Sequence, residues 1–237
     1  VVAELVRSIA LGVDNARLHQ HLQHTAERLR RSLLPRLPHI AHLELAARYC
    51  PSSTNAEVGG DWFDAFALPR STTALVIGDV AGHDLQAAVA MSQLRNMLRG
   101  IAIDREETPG EVLHRLDLAC HTLHPPTTAT CAYGLVTGGE EGPWELRHSS
   151  AGHLPLLLPT REGDTRYLED GAGLPIGMDP DIPRLTARDP LPSHSTLLLC
   201  TDGLIERRGE PPDDSLARPA GMPPPWPRRL STSSATS

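Results

Sequence analysis

Three aspartates set beside glycine, each near the end of an apolar run, constrain this chain more than any other feature. They stand in Gly59-Gly60-Asp61-Trp62-Phe63-Asp64, in Gly78-Asp79-Val80-Ala81-Gly82-His83 and, far downstream, in Thr201-Asp202-Gly203. A strand delivers such a carboxylate to a sheet edge, and the glycine lets backbone or ligand come close. Converging carboxylates repel one another unless a cation joins them. A ligand set made only of oxygen selects hard cations such as Mg²⁺ or Mn²⁺. The arrangement points to metal-dependent phosphoryl hydrolysis. The opposing reading is turn chemistry, because aspartate beside glycine is common in turns.

The rest of the chain can support such a site. Its 237 residues are 40% hydrophobic, enough for one large domain with an appendage, but only 3% aromatic. The core must therefore be built from Leu, Val and Ala. A net charge of −7 argues against a nucleic-acid surface, which needs a concentrated basic face. No apolar run approaches the roughly 20 residues that span a bilayer, and no signal-peptide pattern opens the chain. Cys50, Cys120, Cys131 and Cys200 form no CxxC pair, which disfavours zinc. Cys131 and Cys200 read as small core residues, and a reducing cytoplasm is the expected setting. Every basic side chain is arginine, as in a GC-rich bacterial coding sequence.

Periodicity gives the expected elements. Val1 to Leu34 reads as one long helix, with Leu11, Leu18, Leu22, Leu29 and Leu33 spaced by seven and four, ended by Pro35 and Pro38. That seam fits a parallel coiled coil, with Asn15 as a polar position in it. Strands are expected at Leu43–Tyr49, Phe63–Leu68, Thr73–Ile77, Thr128–Val136, Trp144–His148, Leu154–Leu158, Arg166–Leu168 and Thr196–Cys200. Gly138-Gly139 marks a hairpin. Asp84 caps a helix over Leu85–Arg99 that Gly100 stops. Thr108-Pro109-Gly110-Glu111 forms a capping box for a second helix running to Leu123. Two helices among many strands indicate an α+β sandwich. From Pro211 onward the Pro/Arg/Ser-rich stretch has no periodicity and reads as disordered.

Five motifs then occur in order. Glu57-Val58-Gly59-Gly60-Asp61-Trp62-Phe63-Asp64 comes first, followed by Gly78-Asp79-Val80-Ala81-Gly82-His83 leading into Gln86-Ala87-Ala88. Ala151-Gly152-His153-Leu154-Pro155 comes next, then Gly173-Leu174-Pro175-Ile176-Gly177 and Leu198-Leu199-Cys200-Thr201-Asp202-Gly203-Leu204. From about Arg36 to Arg208 the chain resembles the stage II sporulation protein E-type serine/threonine phosphatases, the bacterial branch of the protein phosphatase 2C superfamily. The resemblance implies a four-layer α-β-β-α sandwich of two antiparallel sheets. It implies two Mn²⁺ or Mg²⁺ ions at the sheet edge, with Asp79 shared between them and the Val80 carbonyl as a further ligand. Asp202 would hold one ion, and Asp61 would bind directly or through water. A hydroxide bridging the ions would attack the phosphorus of phosphoserine or phosphothreonine without a phospho-enzyme. By the same resemblance the substrate is a phosphorylated anti-sigma factor antagonist.

Residues 1–35 then read as a linker from an upstream sensor of GAF or PAS type, residues 36–210 as the phosphatase domain and residues 211–237 as a tail. The helical seam would support a homodimer. His83 reads as either a leaving-group acid or a loop residue, His153 as structural, and Asp64 and Glu57 as either supports around the ligands or groups that organise the loop. His114, His121 and His124 read as a solvated helix face. The chain departs from the family after Asp202. The usual last strand and aspartate pair are not matched, Asp213-Asp214 come too early, and the tail resembles a gene cut short or read out of frame. Three carboxylates against two dications would weaken one ion and lower activity, leaving a phosphoprotein-binding module as the alternative.

Overall fold

The computed structural model describes residues 17, 35–40, 43–49, 59–82, 84–123, 127–139, 143–160 and 164–205. The helical seam before Pro35, apart from Arg17, lies outside them. So do Cys50, Glu57, His83, His124 and everything after Ile205.

The large sheet is built first from neighbours in sequence. β1 (Asp61–Leu68), β2 (Thr72–Val80), β3 (Ala129–Thr137) and β4 (Trp144–Ala151) pair antiparallel in that order. The turn between β1 and β2 places Arg70 and Ser71 at φ 58° and 55°, closed by the Thr72 N–H donating to the Pro69 carbonyl at 3.3 Å. β7 (Ala172–Gly173) joins β4 in parallel, and β8 (Ala187–Leu191) joins it antiparallel. The expectation of purely antiparallel sheets is therefore corrected at β7. A second sheet holds β5 (Leu156–Pro159) and β6 (Thr165–Leu168).

The pleat sorts the core into two layers, because successive side chains point to opposite faces. Ala74, Val76 and Val80 of β2, with Cys131, Tyr133 and Leu135 of β3, face the helices α1 (Leu85–Asp104) and α2 (Pro109–Leu123). Ile77, Ala132, Val136 and Leu146 face the other way, onto Leu156, Leu158 and Leu168 of the small sheet. The described residues thus supply helices, large sheet and small sheet. The fourth layer expected outside the small sheet is not among them.

Local chemistry explains the helix starts. The Asp84 carboxylate accepts from the Ala87 N–H at 2.9 Å and caps α1. At α2 the Glu111 carboxylate accepts from the Thr108 N–H at 2.8 Å, while the Thr108 hydroxyl faces the Glu111 N–H at 3.5 Å. Gly100 does not stop α1. The helix continues to Asp104 because Ile101 and Ala102 pack against the core, which offsets the modest propensity cost of one glycine. Gly100 is exposed, and a Cβ there would meet nothing within 4 Å. Gly100→Ala is expected to stabilise the fold by about 0.5–1 kcal/mol, read as a higher denaturant midpoint at unchanged slope.

Two expected strands do not form as such. Leu43–Tyr49 makes only the isolated Ile40–Leu43 bridge, and Leu43 contributes by packing its side chain on the small-sheet core. Thr196–Cys200 lies along β5, with Thr196 N–H donating to Pro159 and Leu198 exchanging bonds with Leu157, but it never becomes a regular strand. The Gly138 end of β3 does lead into β4, through a connection longer than a tight hairpin. No described helix is long and apolar enough to cross a membrane.

Candidate metal centre

Asp61 opens β1 and Asp79 is the penultimate residue of β2, and the register sets them directly opposite each other. Cross-strand partners share a face, so the two carboxylates stand side by side. The Thr196–Cys200 segment arrives along β5 and carries Thr201 and Asp202 to the same end. There Asp202 begins the short helix α3 (Asp202–Ile205). One ligand oxygen from each of Asp61, Asp79 and Asp202 lies within 4.8 Å of the others. Among the described residues this is the one group of three or more such side chains that could hold a metal ion.

Burial and mutual repulsion penalise the charges of Asp61 and Asp79, a penalty that a bound cation would relieve. Burial, the charges of Asp61 and Asp202 and the hydrogen bond with Asp61 push the Asp79 carboxyl up to about 7. Burial and then Asp202 also raise Asp61, against hydrogen bonds from Thr201 and Asp79 that pull it back. Asp61 Oδ1 is buried and has no hydrogen-bond partner. An orphaned carboxylate oxygen inside a cluster of like charges fits a hard dication, which would supply the missing partner of Asp61 and offset the repulsion among the three.

Gly60 shapes the opposite wall. A Cβ on it would sit 2.2 Å from the Val80 carbonyl oxygen and 3.0 Å from Asp79 Oδ1. Backbone and carboxylate therefore both approach one bare Cα, and the Val80 N–H donates to the Gly60 carbonyl at 3.2 Å. Gly60→Ala is expected to displace Val80 and destabilise the fold by about 1–3 kcal/mol. Urea melts measure the stability loss. Mn²⁺ titration checks whether the site moves with it, and a variant that melts like the parent would remove the close-approach argument.

Other sequence candidates fall elsewhere. Asp64 is buried on the face away from the cluster, where its carboxylate accepts from the Ala65 N–H at 2.9 Å and pairs with Arg99 at 3.4 Å. The pleat turns it toward α1, so it does not support the ligands; Arg99 also lies over the Phe66 ring at 4.8 Å. His114 and His121 belong to α2 and join no cluster of ligating groups among the described residues. His153 is internal, bonded to Thr130 and to the Cys200 carbonyl. Sequence reasoning missed Thr201, whose hydroxyl bonds Asp61, and it missed the ion pair of Asp117 with Arg184. Thr201 could have been found from its place beside Asp202. Nothing in the α2 pattern singles out Asp117.

A family profile described as Stage II sporulation protein E (SpoIIE) matches residues 69–222. The chain belongs to the SpoIIE family. The match contains Asp79 and Asp202, while Asp61 precedes it. The structure of the RsbU and RsbW domains of Rv1364c from Mycobacterium tuberculosis is similar at 36% identity and a TM-score of 0.62, over 71% of this chain and 46% of that one. The PP2C phosphatase domain of SpoIIE from Bacillus subtilis, at 16% identity and a TM-score of 0.56, shares the fold over 69% of this chain and 48% of that one. Phosphoserine phosphatase RsbP of Bacillus subtilis is 24% identical over 65% of this chain. The SpoIIE-family chain spans 38% of RsbP's length, so it corresponds to part of that protein.

Proposed function

We propose that this SpoIIE-family chain is a divalent-metal-dependent phosphatase acting on phosphoserine or phosphothreonine in a protein partner. The observation that carries the reading is the gathering of Asp61, Asp79 and Asp202 oxygens within 4.8 Å of one another. Asp61 and Asp79 would hold the cations from the large sheet, with the Val80 carbonyl as a further ligand. Asp202 would close the set from the other side, and the Thr201 hydroxyl would orient Asp61. When bound, Mg²⁺ or Mn²⁺ ions supply a water acidified toward neutral pH and neutralise the phosphoryl oxygens.

The described cysteines argue against a cysteinyl-phosphate intermediate. Cys200, two residues from Asp202, is held protonated because burial pushes its thiol up to about 11. Cys120 and Cys131 are buried in the helix-side core with thiols near 12. Direct attack by water is the route that the carboxylate cluster would support with its cations bound. The name of RsbP supports a phosphoserine substrate, and the RsbU and RsbW domains of the Mycobacterium tuberculosis structure support a place in regulatory partner exchange. An anti-sigma factor antagonist remains the proposed target, in a cytoplasmic pathway fed by an upstream sensor.

A second reading keeps partner binding and loses turnover. The charge count among the described residues favours it, because their three carboxylates supply about −3 against about +4 for two dications. Hydrolysis of para-nitrophenyl phosphate and of a phosphoserine peptide, with and without Mn²⁺, tests the enzyme. Mn²⁺-dependent turnover lost on chelation supports it. Tight phosphopeptide binding without turnover supports the binding module.

A further inference from the structure

His153 stands outside the carboxylate cluster, yet it touches the segment that carries Asp202 and the strand paired with the one that carries Asp79. The chain leaves β4 through Gly152, which is in the left-handed region at φ 66°, and a side chain there would meet Pro175 at 2.5 Å. The Ser150 hydroxyl then clips the backbone of His153. It donates to the His153 carbonyl and accepts from its N–H, both at 3.1 Å. From this fixed base the imidazole reaches Thr130 Oγ1 through Nδ1 at 2.8 Å and the Cys200 carbonyl through Nε2 at 3.2 Å.

The partners settle the tautomer. A carbonyl only accepts, so Nε2 carries the proton, and Nδ1 of the neutral ring accepts from the Thr130 hydroxyl. Burial drives the ring's pKa down to about 4, against the pull of the Cys200 carbonyl and of Asp202. The ring is therefore neutral at ordinary pH.

Both anchors are next to the cluster. Thr130 is the β3 register partner of Asp79. Cys200 lies two residues before Asp202, beyond the Leu198–Leu157 bridge, the last backbone pairing of that segment with β5 among the described residues. We infer that His153 is a positioning residue, a neutral strut that ties the arm carrying Asp202 to the strand beside Asp79 and so fixes where the third carboxylate stands. Its effect on metal binding rests on the proposed function. The strut itself is a property of the metal-free chain.

Two readouts keep these apart. In metal-free protein, hydrogen exchange of residues 199–205 is expected to rise at least about fivefold in His153→Ala, while β2 and β3 keep their protection. In calorimetry with MnCl₂, His153→Ala is expected to weaken binding about tenfold. His153→Gln, whose amide offers one donor and one acceptor, stays within about threefold of the parent. In an Asp202→Asn background the same His153→Ala change adds less than about twofold, since the strut then holds no ligand.

Unchanged exchange over 199–205 in His153→Ala overturns the strut. So does an equal loss of Mn²⁺ affinity with and without Asp202, because the residue would then act through the fold at large. If His153→Ala loses its cooperative melt, Thr130→Val carries the test: faster exchange over 199–205 supports the strut, and unchanged exchange overturns it. A parent chain that binds no Mn²⁺ while His153→Ala still loosens 199–205 sinks the metal reading and leaves the strut standing.

Discussion

Asp79→Asn is expected to lower Mn²⁺-dependent hydrolysis on the order of a thousandfold, equivalent to about 4 kcal/mol of lost transition-state stabilisation. Asp79 faces both Asp61 across the strand pair and Asp202 across the gap, so its loss takes the centre out of the cluster. The same substitution has the opposite effect on the metal-free fold. Asp79 holds its proton up to about pH 7 in the folded chain, whereas an unfolded aspartate releases it near 3.8. Between those values the folded state binds more protons, so this group's contribution is full below about 4 and is lost as pH rises through 7. Metal-free Asp79→Asn should therefore melt above the parent at pH 8, with the gap narrowing at pH 5.5. Thermal melts of both proteins in chelator at the two pH values measure it. A gap that widens toward acid, or activity surviving in Asp79→Asn, contradicts the central role given to this residue.

Asp117→Ala is expected to destabilise the fold by about 3–5 kcal/mol, because it leaves a guanidinium buried without its counter-charge. Asp117 of α2 and the Arg184 side chain are both almost wholly buried and paired. Asp117 Oδ1 also accepts from the Gly177 N–H at 2.8 Å, and Arg184 donates to the Leu174 carbonyl at 2.7 Å. One ion pair thus fixes both ends of the Leu174–Gly177 loop. Within that loop Ile176 exchanges backbone bonds with Ala129, the register partner of Val80. At about 2–4 °C per kcal/mol for a domain of this size, the melt should fall by about 10 °C. Replacing both partners by apolar residues, Asp117→Leu with Arg184→Met, should recover much of the loss. A single-variant loss under about 1 kcal/mol would show that the pair is incidental to the loop.

Which parts of this were legible beforehand follows from how local each interaction is. The caps at Asp84 and Thr108 were readable because partner and donor lie three residues apart in the chain. The β1–β2 hairpin had no turn signature, since Arg70 and Ser71 occupy left-handed positions where Gly or Asn usually stands. Gly100 misled because a glycine inside a helix and one at its end look alike until the packing of Ala102 is known. Asp64 sits in the same motif as Asp61, and the pleat alone sends it to the other face.

The amino-acid order by itself determined the acidic motifs, the strand and helix propensities and the membership of the SpoIIE family. Tertiary structure decided what those motifs do together. It set Asp61 against Asp79 through strand register, brought Asp202 from 123 residues further along the chain than Asp79 to within reach, and placed His153 between their supports. The physical reason is range. Propensity and capping act over a few residues, whereas a converging set of charges exists only once two sheets have packed and burial has raised the cost of leaving those charges without a partner.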